Sequence, residues 1–365
     1  MTCPTVAVAV SGGVDSLCAL LLLKQAGMNP VAVHGLFLPN ASEPPSGLCR
    51  ACDTLHVPLH VIDVRTAFRQ KVIIPFAREY AAGRTPNPCA LCNSSIKFGV
   101  LKDAALALGA SCFATGHYSR LVPGPEGAEA LPLICAAHDI TKDQSYFLAL
   151  VTRERLSHTL FPLSEYSKAR CRALVAAAGL EVPLPDESQD VCFVAQSRGT
   201  SSAKAYRDYL KEYWQELHID LPAPGPAFLR EGDGSLRPIG QHDGLWRFTE
   251  GQRRGLGLAH SSPLFVIAKE KNTNALIVGP RSQLGIMSCI AAQVNVVLPP
   301  HLWPEKILAR LRYRQSPATA HATLEAGRLH IDLTKKQFPT APGQIAAIYD
   351  TDGRLLAAGV IESMQ

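Results

Sequence analysis

Residues 5–16 read TVAVAVSGGVDS, a β-branched run that breaks at a serine and a pair of glycines before Asp15 and Ser16. A short strand is predicted over 5–10 and a helix from Asp15-Ser16 to about Gln25, stopped by Gly27. Between them, Gly12 and Gly13 let the backbone turn its N–H groups inward to cradle an anion, and the helix N-terminus adds partial positive charge. The Ser11 and Ser16 hydroxyls suit phosphate oxygens, and Asp15 suits a magnesium ion bridging the phosphates. The chain has no GxxxxGK[ST] here, so this is not a Walker loop. The plain alternative is a strand-to-helix turn that holds two glycines.

Outward from the loop, strands and helices alternate. A strand is expected at 30–38, a helix at 46–56, a strand at 58–64, a long helix at 66–80, another at 95–108 and a strand at 111–115. That order gives an α/β fold, a doubly wound parallel sheet with helices on both faces. Near residue 196 the text changes to Gly- and Pro-rich pieces such as PAPGPAF and GQRRGLG. From about 276, short alternating runs (ALIVG, CIAAQVNVV, LHIDL, QIAAIYD, LLAAGVIE) indicate a small antiparallel β-barrel. Three units follow: 1–196, a central α+β unit at 197–275, and a barrel at 276–365.

The bulk numbers agree. A chain of 365 residues exceeds one small core, and 47% hydrophobic with 18% charged residues is ordinary globular composition. No apolar run approaches the ~18–20 residues of a membrane span, and the first ten residues lack a basic leader, so a cytoplasmic protein is expected. The net charge of +5 permits a polyanionic partner without requiring one.

Eleven cysteines in a reducing compartment point to catalysis or metal binding for the paired ones. Cys3, Cys18, Cys112, Cys135, Cys171 and Cys289 stand singly and read as packing residues. In GRTPNPCALCNSSIKF (83–98), Pro86 and Pro88 stiffen the approach, and Asn93 is expected to open a helix facing Cys92. That placement would lower the pKa of the Cys92 thiol, with Lys97 and Arg84 adding positive potential. Cys89-x-x-Cys92 also reads as a structural pair. With Cys49-x-x-Cys52 it would make a four-cysteine zinc site, although the pairs lie further apart than in zinc ribbons. Cys192, in PDESQDVCF (185–193), occupies a loop position. Arg310, Arg312 and Arg314 alternate and would share one face of a strand.

Eight motifs complete the reading: SGGVDS, GRTPNPxxLCN, ATGHYSR (114–120), KDQSYFL (142–148), SQDVCF (188–193), GQRRGLG (251–257), RYRQ (312–315) and PGQ (342–344). The first resembles the loop of the N-type ATP pyrophosphatases (PP-loop enzymes of the adenine nucleotide alpha hydrolase-like class), and the ordered set resembles the tRNA 2-thiouridylases, the MnmA family. The resemblance implies ATP-dependent thiolation of the wobble uridine at C2 through an adenylated base. ATP would lie on Ala9, Val10, Ser11, Gly12, Gly13, Val14, Asp15 and Ser16, with Leu38 and Gly116 beside it. Cys192 would carry a persulfide, and Cys92 would be the nucleophile that ends in a transient disulfide with it. Asn87, His117, Lys142, Asp143, Gln144, Arg312, Tyr313 and Gln344 would contact tRNA. The implied partners are tRNA of the Glu, Gln or Lys type and a cysteine desulfurase or persulfide carrier, with the protein acting as a monomer.

The chain departs from that pattern in places. Many members of the family have Asp where Cys89 stands, and a thiol is about four pKa units weaker as an acid. Cys89, Cys92 and Cys192 are therefore also the ligand set of an alternative [4Fe–4S] cluster that would deliver sulfide. The segment after Leu38 is short, and Glu250 stands where an apolar residue is more usual. The rivals are another PP-loop pyrophosphatase with a different RNA target, an amide-forming ligase, and a non-catalytic RNA-binding protein.

Overall fold

The computed structural model describes residues 5–125, 131–180, 191–194 and 203–365. Strands β1 (Thr5–Ala9), β2 (Asn29–Leu36), β3 (Leu59–Asp63) and β4 (Cys112–Thr115) lie parallel. A hairpin of β5 (Arg120–Val122) and β6 (Leu133–Cys135) follows, and β7 (Thr159–Leu160) joins the edge beside β4. The sheet order is β3-β2-β1-β4-β7, so strand order reverses between β1 and β4. That switch point opens a crevice at the strand C-termini. Alternation along β1 feeds two cores: Val6 and Val8 face one, Ala7 the other.

Helices α1 (Val14–Gln25) and α2 (Ser46–Leu55) cover one face with a later helix, α5 (Lys168–Ala177). The other face holds α3 (65–81) and α4 (88–107), each continuous through a π-type stretch. α4 kinks at Gly99, whose backbone is non-helical. Helix α6 (Ala203–Glu216) docks on α3, where the Trp214 indole N–H donates to the Ala77 carbonyl at 2.7 Å. α6 was not foreseen as an element, yet Tyr206, Tyr209, Leu210, Tyr213 and Trp214 follow helical spacing.

The central sheet runs in the order β10-β11-β8-β9, from β8 (Gly225–Arg230), β9 (Leu236–His242), β10 (Phe265–Glu270) and β11 (Ala275–Gly279). ALIVG, expected to open the barrel, is β11. It is buried along its whole length and pairs with β8 and β10, which claims it for this sheet. The closed six-stranded barrel is built from β12 (Ile286–Val296), β13 (Ile307–Arg310), β14 (Ala318–Glu325), β15 (Arg328–Gln337), β16 (Ile345–Tyr349) and β17 (Leu355–Met364). Only Arg310 of the three alternating arginines lies on a strand; Arg312 and Arg314 fall in the turn after β13. Among the described residues, no helix is long and apolar enough to cross a membrane.

Candidate active site

The loop after β1 sits at the switch point. Gly12 adopts a φ of +87°, which turns the chain before α1, and no side chain caps that helix. Its first N–H groups are thereby left for an anion. Ser16 stiffens the loop: its Oγ donates to the Gly13 carbonyl at 2.9 Å and accepts the Ser11 N–H at 3.1 Å. Gly116, just beyond β4, presses on this backbone; a Cβ there would lie 2.7 Å from the Asp15 carbonyl carbon. Leu38 lies beyond β2, the other neighbour of β1, with its side chain buried in the core. Asp15 is held by two groups sequence reasoning missed: the Tyr118 hydroxyl donates at 2.7 Å and the Lys168 ammonium at 2.5 Å. The Asp15 oxygen facing Lys168 is thus already paired with a cation.

The thiols stand differently from expectation. α4 begins at Pro88, capped by the Asn87 side-chain oxygen accepting the Ala90 N–H at 3.1 Å, and runs through Cys92 into Asn93. Cys89, in the first turn, is exposed, whereas Cys92 is half-buried one turn further on. The expected lowering of the Cys92 pKa at a helix start does not occur. Burial instead pushes its thiol up to about 12, opposed by Lys97. Cys89 and Cys192 are also raised by desolvation and pulled back by Lys97. Cys92 and Cys89 each feel the charge of Cys192, so the three lie within electrostatic reach of one another. Arg84 does not join Lys97 in this, because its guanidinium is paired with Glu79.

Cys192 is exposed, but Phe193 beside it is 2% exposed and wedged among aromatic rings. Its ring centroid lies 5.8 Å from Phe68, 5.0 Å from Phe76 and 5.6 Å from Tyr209, so α3 and α6 hold the thiol's neighbour from both sides. Ser188, Gln189 and Asp190 of the SQDVCF motif, like Cys3, lie outside the described residues.

A cavity of about 1330 Å³ is lined by Asp15, Cys89, Lys97 and Cys192 from the sheet domain and by Tyr313 and Gln344 from the barrel, while Cys92 and Arg312 lie outside its lining. Asn87, His117, Lys142, Asp143 and Gln144 also reach it. His117 is buried against Phe98, bonds Thr115 Oγ1 at 2.8 Å, and is held well below its ordinary pKa by desolvation, hence neutral. Asp143 is buried and accepts from Arg310 at 2.6 Å, which ties KDQSYFL to the barrel. Gln144 Oε1 accepts the Tyr118 N–H at 3.0 Å, and Gln344 donates to the Thr85 carbonyl at 2.7 Å. Tyr313 lies on Phe147 with centroids 4.2 Å apart, and Arg312 donates to the Pro339 carbonyl.

Among the described residues, no three His, Cys, Asp or Glu side chains gather as a metal site. Neither the cluster on Cys89, Cys92 and Cys192 nor the four-cysteine zinc site is assembled. The zinc alternative fails for a plain reason: Cys52 is buried in the core on one face of the sheet, while Cys92 packs against the core on the other. Cys18, Cys135, Cys171 and Cys289 are buried and Cys112 half-buried; of these, Cys135 accepts from Arg120 at 3.1 Å and hydrogen bonds lower the Cys171 thiol to about 7.

Family models match three stretches: a "tRNA methyl transferase HUP domain" at 4–196, a "tRNA methyl transferase PRC-barrel domain" at 233–280 and an "Aminomethyltransferase beta-barrel domain" at 287–361. Curated relatives named tRNA-specific 2-thiouridylase MnmA match nearly end to end. Those from Nitratidesulfovibrio vulgaris (strain Hildenborough), Oleidesulfovibrio alaskensis and Lawsonia intracellularis are 44%, 43% and 42% identical, over 98% of this chain and 98%, 99% and 98% of theirs. The chain belongs to the MnmA family.

Within that family the Glu250 departure has a partner. Its carboxylate lies 3.4 Å from the Lys269 ammonium, both side chains 4% exposed, and Lys269 also donates to the Phe248 carbonyl at 2.9 Å. Burial raises the Glu250 pKa and lowers that of Lys269. The pair is a compensated buried charge, not an isolated one.

Proposed function

We propose that this MnmA-family protein is an ATP-dependent sulfurtransferase that replaces the C2 oxygen of the wobble uridine of tRNA with sulfur. The observation that carries the reading is the shared cavity, which brings Asp15 of the phosphate loop and the exposed thiols of Cys89 and Cys192 onto one space. Transfer of a methyl group would have no use for a triphosphate cradle.

The nucleotide lies along 9–16 beside Leu38 and Gly116. Magnesium, which would accompany ATP and offset phosphate charge, has the Asp15 carboxylate at the loop, where Lys168 already stands. The uridine leaves its stack to enter the cavity. Its O2 attacks the α-phosphorus of ATP, and pyrophosphate leaves. The outer sulfur of a Cys192 persulfide, more acidic than a thiol, then attacks C2, and AMP departs with the C–O electron pair. Cys92 attacks the Cys192 sulfur, leaving the electron pair on the new thiouridine and a Cys92–Cys192 disulfide that a dithiol reductant reopens. Lys97 stabilises each sulfur anion in turn. Cys89 faces the same space without a step of its own. Asn87, His117, Lys142–Gln144, Tyr313 and Gln344 form the tRNA-facing wall, Arg312 meets the tRNA beside it, and Asp143 holds the wall to Arg310.

The protein is expected to act as a cytoplasmic monomer on tRNA of the Glu, Gln or Lys type, with sulfur from a cysteine desulfurase or carrier. Incubation with ATP, magnesium, such an unmodified tRNA and a desulfurase with cysteine should yield 2-thiouridine by nucleoside mass spectrometry. AMP release without thiouridine would retain the pyrophosphatase chemistry and overturn the substrate.

A further inference from the structure

Phe338, just after β15, keeps 42% of its surface exposed. A lone exposed apolar residue is unremarkable in itself. This ring, however, is fixed. One edge fills the space beside Gly251, where a Cβ would fall 2.7 Å from the ring, and Gly251 adopts a φ of +82°. The Arg312 guanidinium lies 5.7 Å from the ring centroid and is held there by the Pro339 carbonyl. Gln337, next in the chain, accepts from Gln315 Nε2 at 3.2 Å, and Gln315 lines the cavity. The ring therefore stands where the barrel meets the GQRRGLG loop of the central unit, beside Arg312, whose chain neighbour Tyr313 lines the cavity. Arg253 and Arg254 on that loop and Lys335 and Lys336 on β15 are exposed nearby in sequence.

A rigid aromatic face beside a guanidinium plane suits an unpaired RNA base: the ring stacks it and the guanidinium takes an adjoining phosphate. A protein partner would use the apolar ring, but the cation on that ring is Arg312, one of the tRNA contacts proposed above. We propose that Phe338 and Arg312 form a platform on which an unpaired nucleobase of the RNA substrate, other than the reacting uridine, stacks. This rests on the tRNA reading above and adds a binding residue to it.

The test is steady-state thiolation of unmodified tRNA by wild type, Phe338→Ala, Phe338→Leu and Phe338→Trp, with direct tRNA binding and thermal melting measured in parallel. Phe338→Ala is expected to raise KM for tRNA roughly tenfold and to move kcat far less. Phe338→Leu, which refills the space beside Gly251 without a π face, should behave like alanine, and Phe338→Trp like wild type. Rescue by leucine would reduce the ring to a packing role and overturn the proposal. So would an unchanged KM for tRNA, or a KM increase confined to a protein sulfur donor. A wild type that neither binds nor thiolates tRNA would instead sink the underlying reading together with the platform.

Discussion

Lys97 acts on all three thiols at once. Its charge opposes the desolvation that raises Cys89, Cys92 and Cys192, and it helps keep His117 neutral. In Lys97→Met the thiol pKa values move further up, so the alkaline rise of the pH–rate profile shifts to higher pH. Activity then falls at neutral pH and recovers as pH increases; an unshifted profile would remove Lys97 from this role. Gly116 makes a second claim on the phosphate loop. Gly116→Ala forces a Cβ into the backbone of Asp15 and Ser16. An overpacking cost of roughly 1–3 kcal/mol should appear as a raised KM for ATP, about 5- to 150-fold, with the tRNA affinity little changed. At this scale the sequence announced the loop and the thiols themselves. It did not announce their ionisation: Cys92 was expected to be acidic, but the helix starts at Pro88, and depth within the fold outweighs the dipole.

Elements carry the positioning. Phe193 is gripped by rings from α3 and α6, so Cys192 is placed by aromatic packing two helices deep. Phe193→Ala should lower the thiolation rate sharply while ATP binding persists. It should also cost about 3–5 kcal/mol in urea denaturation. Equal rates in the two proteins would show that Cys192 is held by something else. The spacing of Tyr206, Tyr209, Leu210, Tyr213 and Trp214 contained the signal for α6, though the Gly- and Pro-rich text after it drew the reading towards strands. The parallel sheet was legible because its strands are buried apolar runs between helices. The turn at Arg312 and Arg314 was not, since alternation along a strand and along a turn look alike until the barrel closes.

For the whole molecule, the cavity exists because the barrel is clamped onto the sheet domain. The buried Asp143–Arg310 pair is that clamp, seconded by Tyr146, whose hydroxyl donates to the Ile345 carbonyl at 2.9 Å. Asp143→Asn leaves the Arg310 charge uncompensated and should cost about 3–5 kcal/mol of stability in chemical denaturation. A loss below about 1 kcal/mol would mean that the interface is held elsewhere. No local pattern in the sequence could supply this long-range pairing.

The central claim is that sulfur passes from Cys192 to the RNA with Cys92 completing the transfer. Its most direct measurement loads the protein with radiolabelled persulfide sulfur, removes the donor, and adds ATP and unmodified tRNA for a single turnover. The account predicts that label leaves Cys192 for 2-thiouridine only when ATP is present, and that Cys92→Ser holds it on the protein or in a protein–RNA adduct. Label reaching free thiouridine equally fast in Cys92→Ser, or transferred by Cys192→Ser, would contradict it.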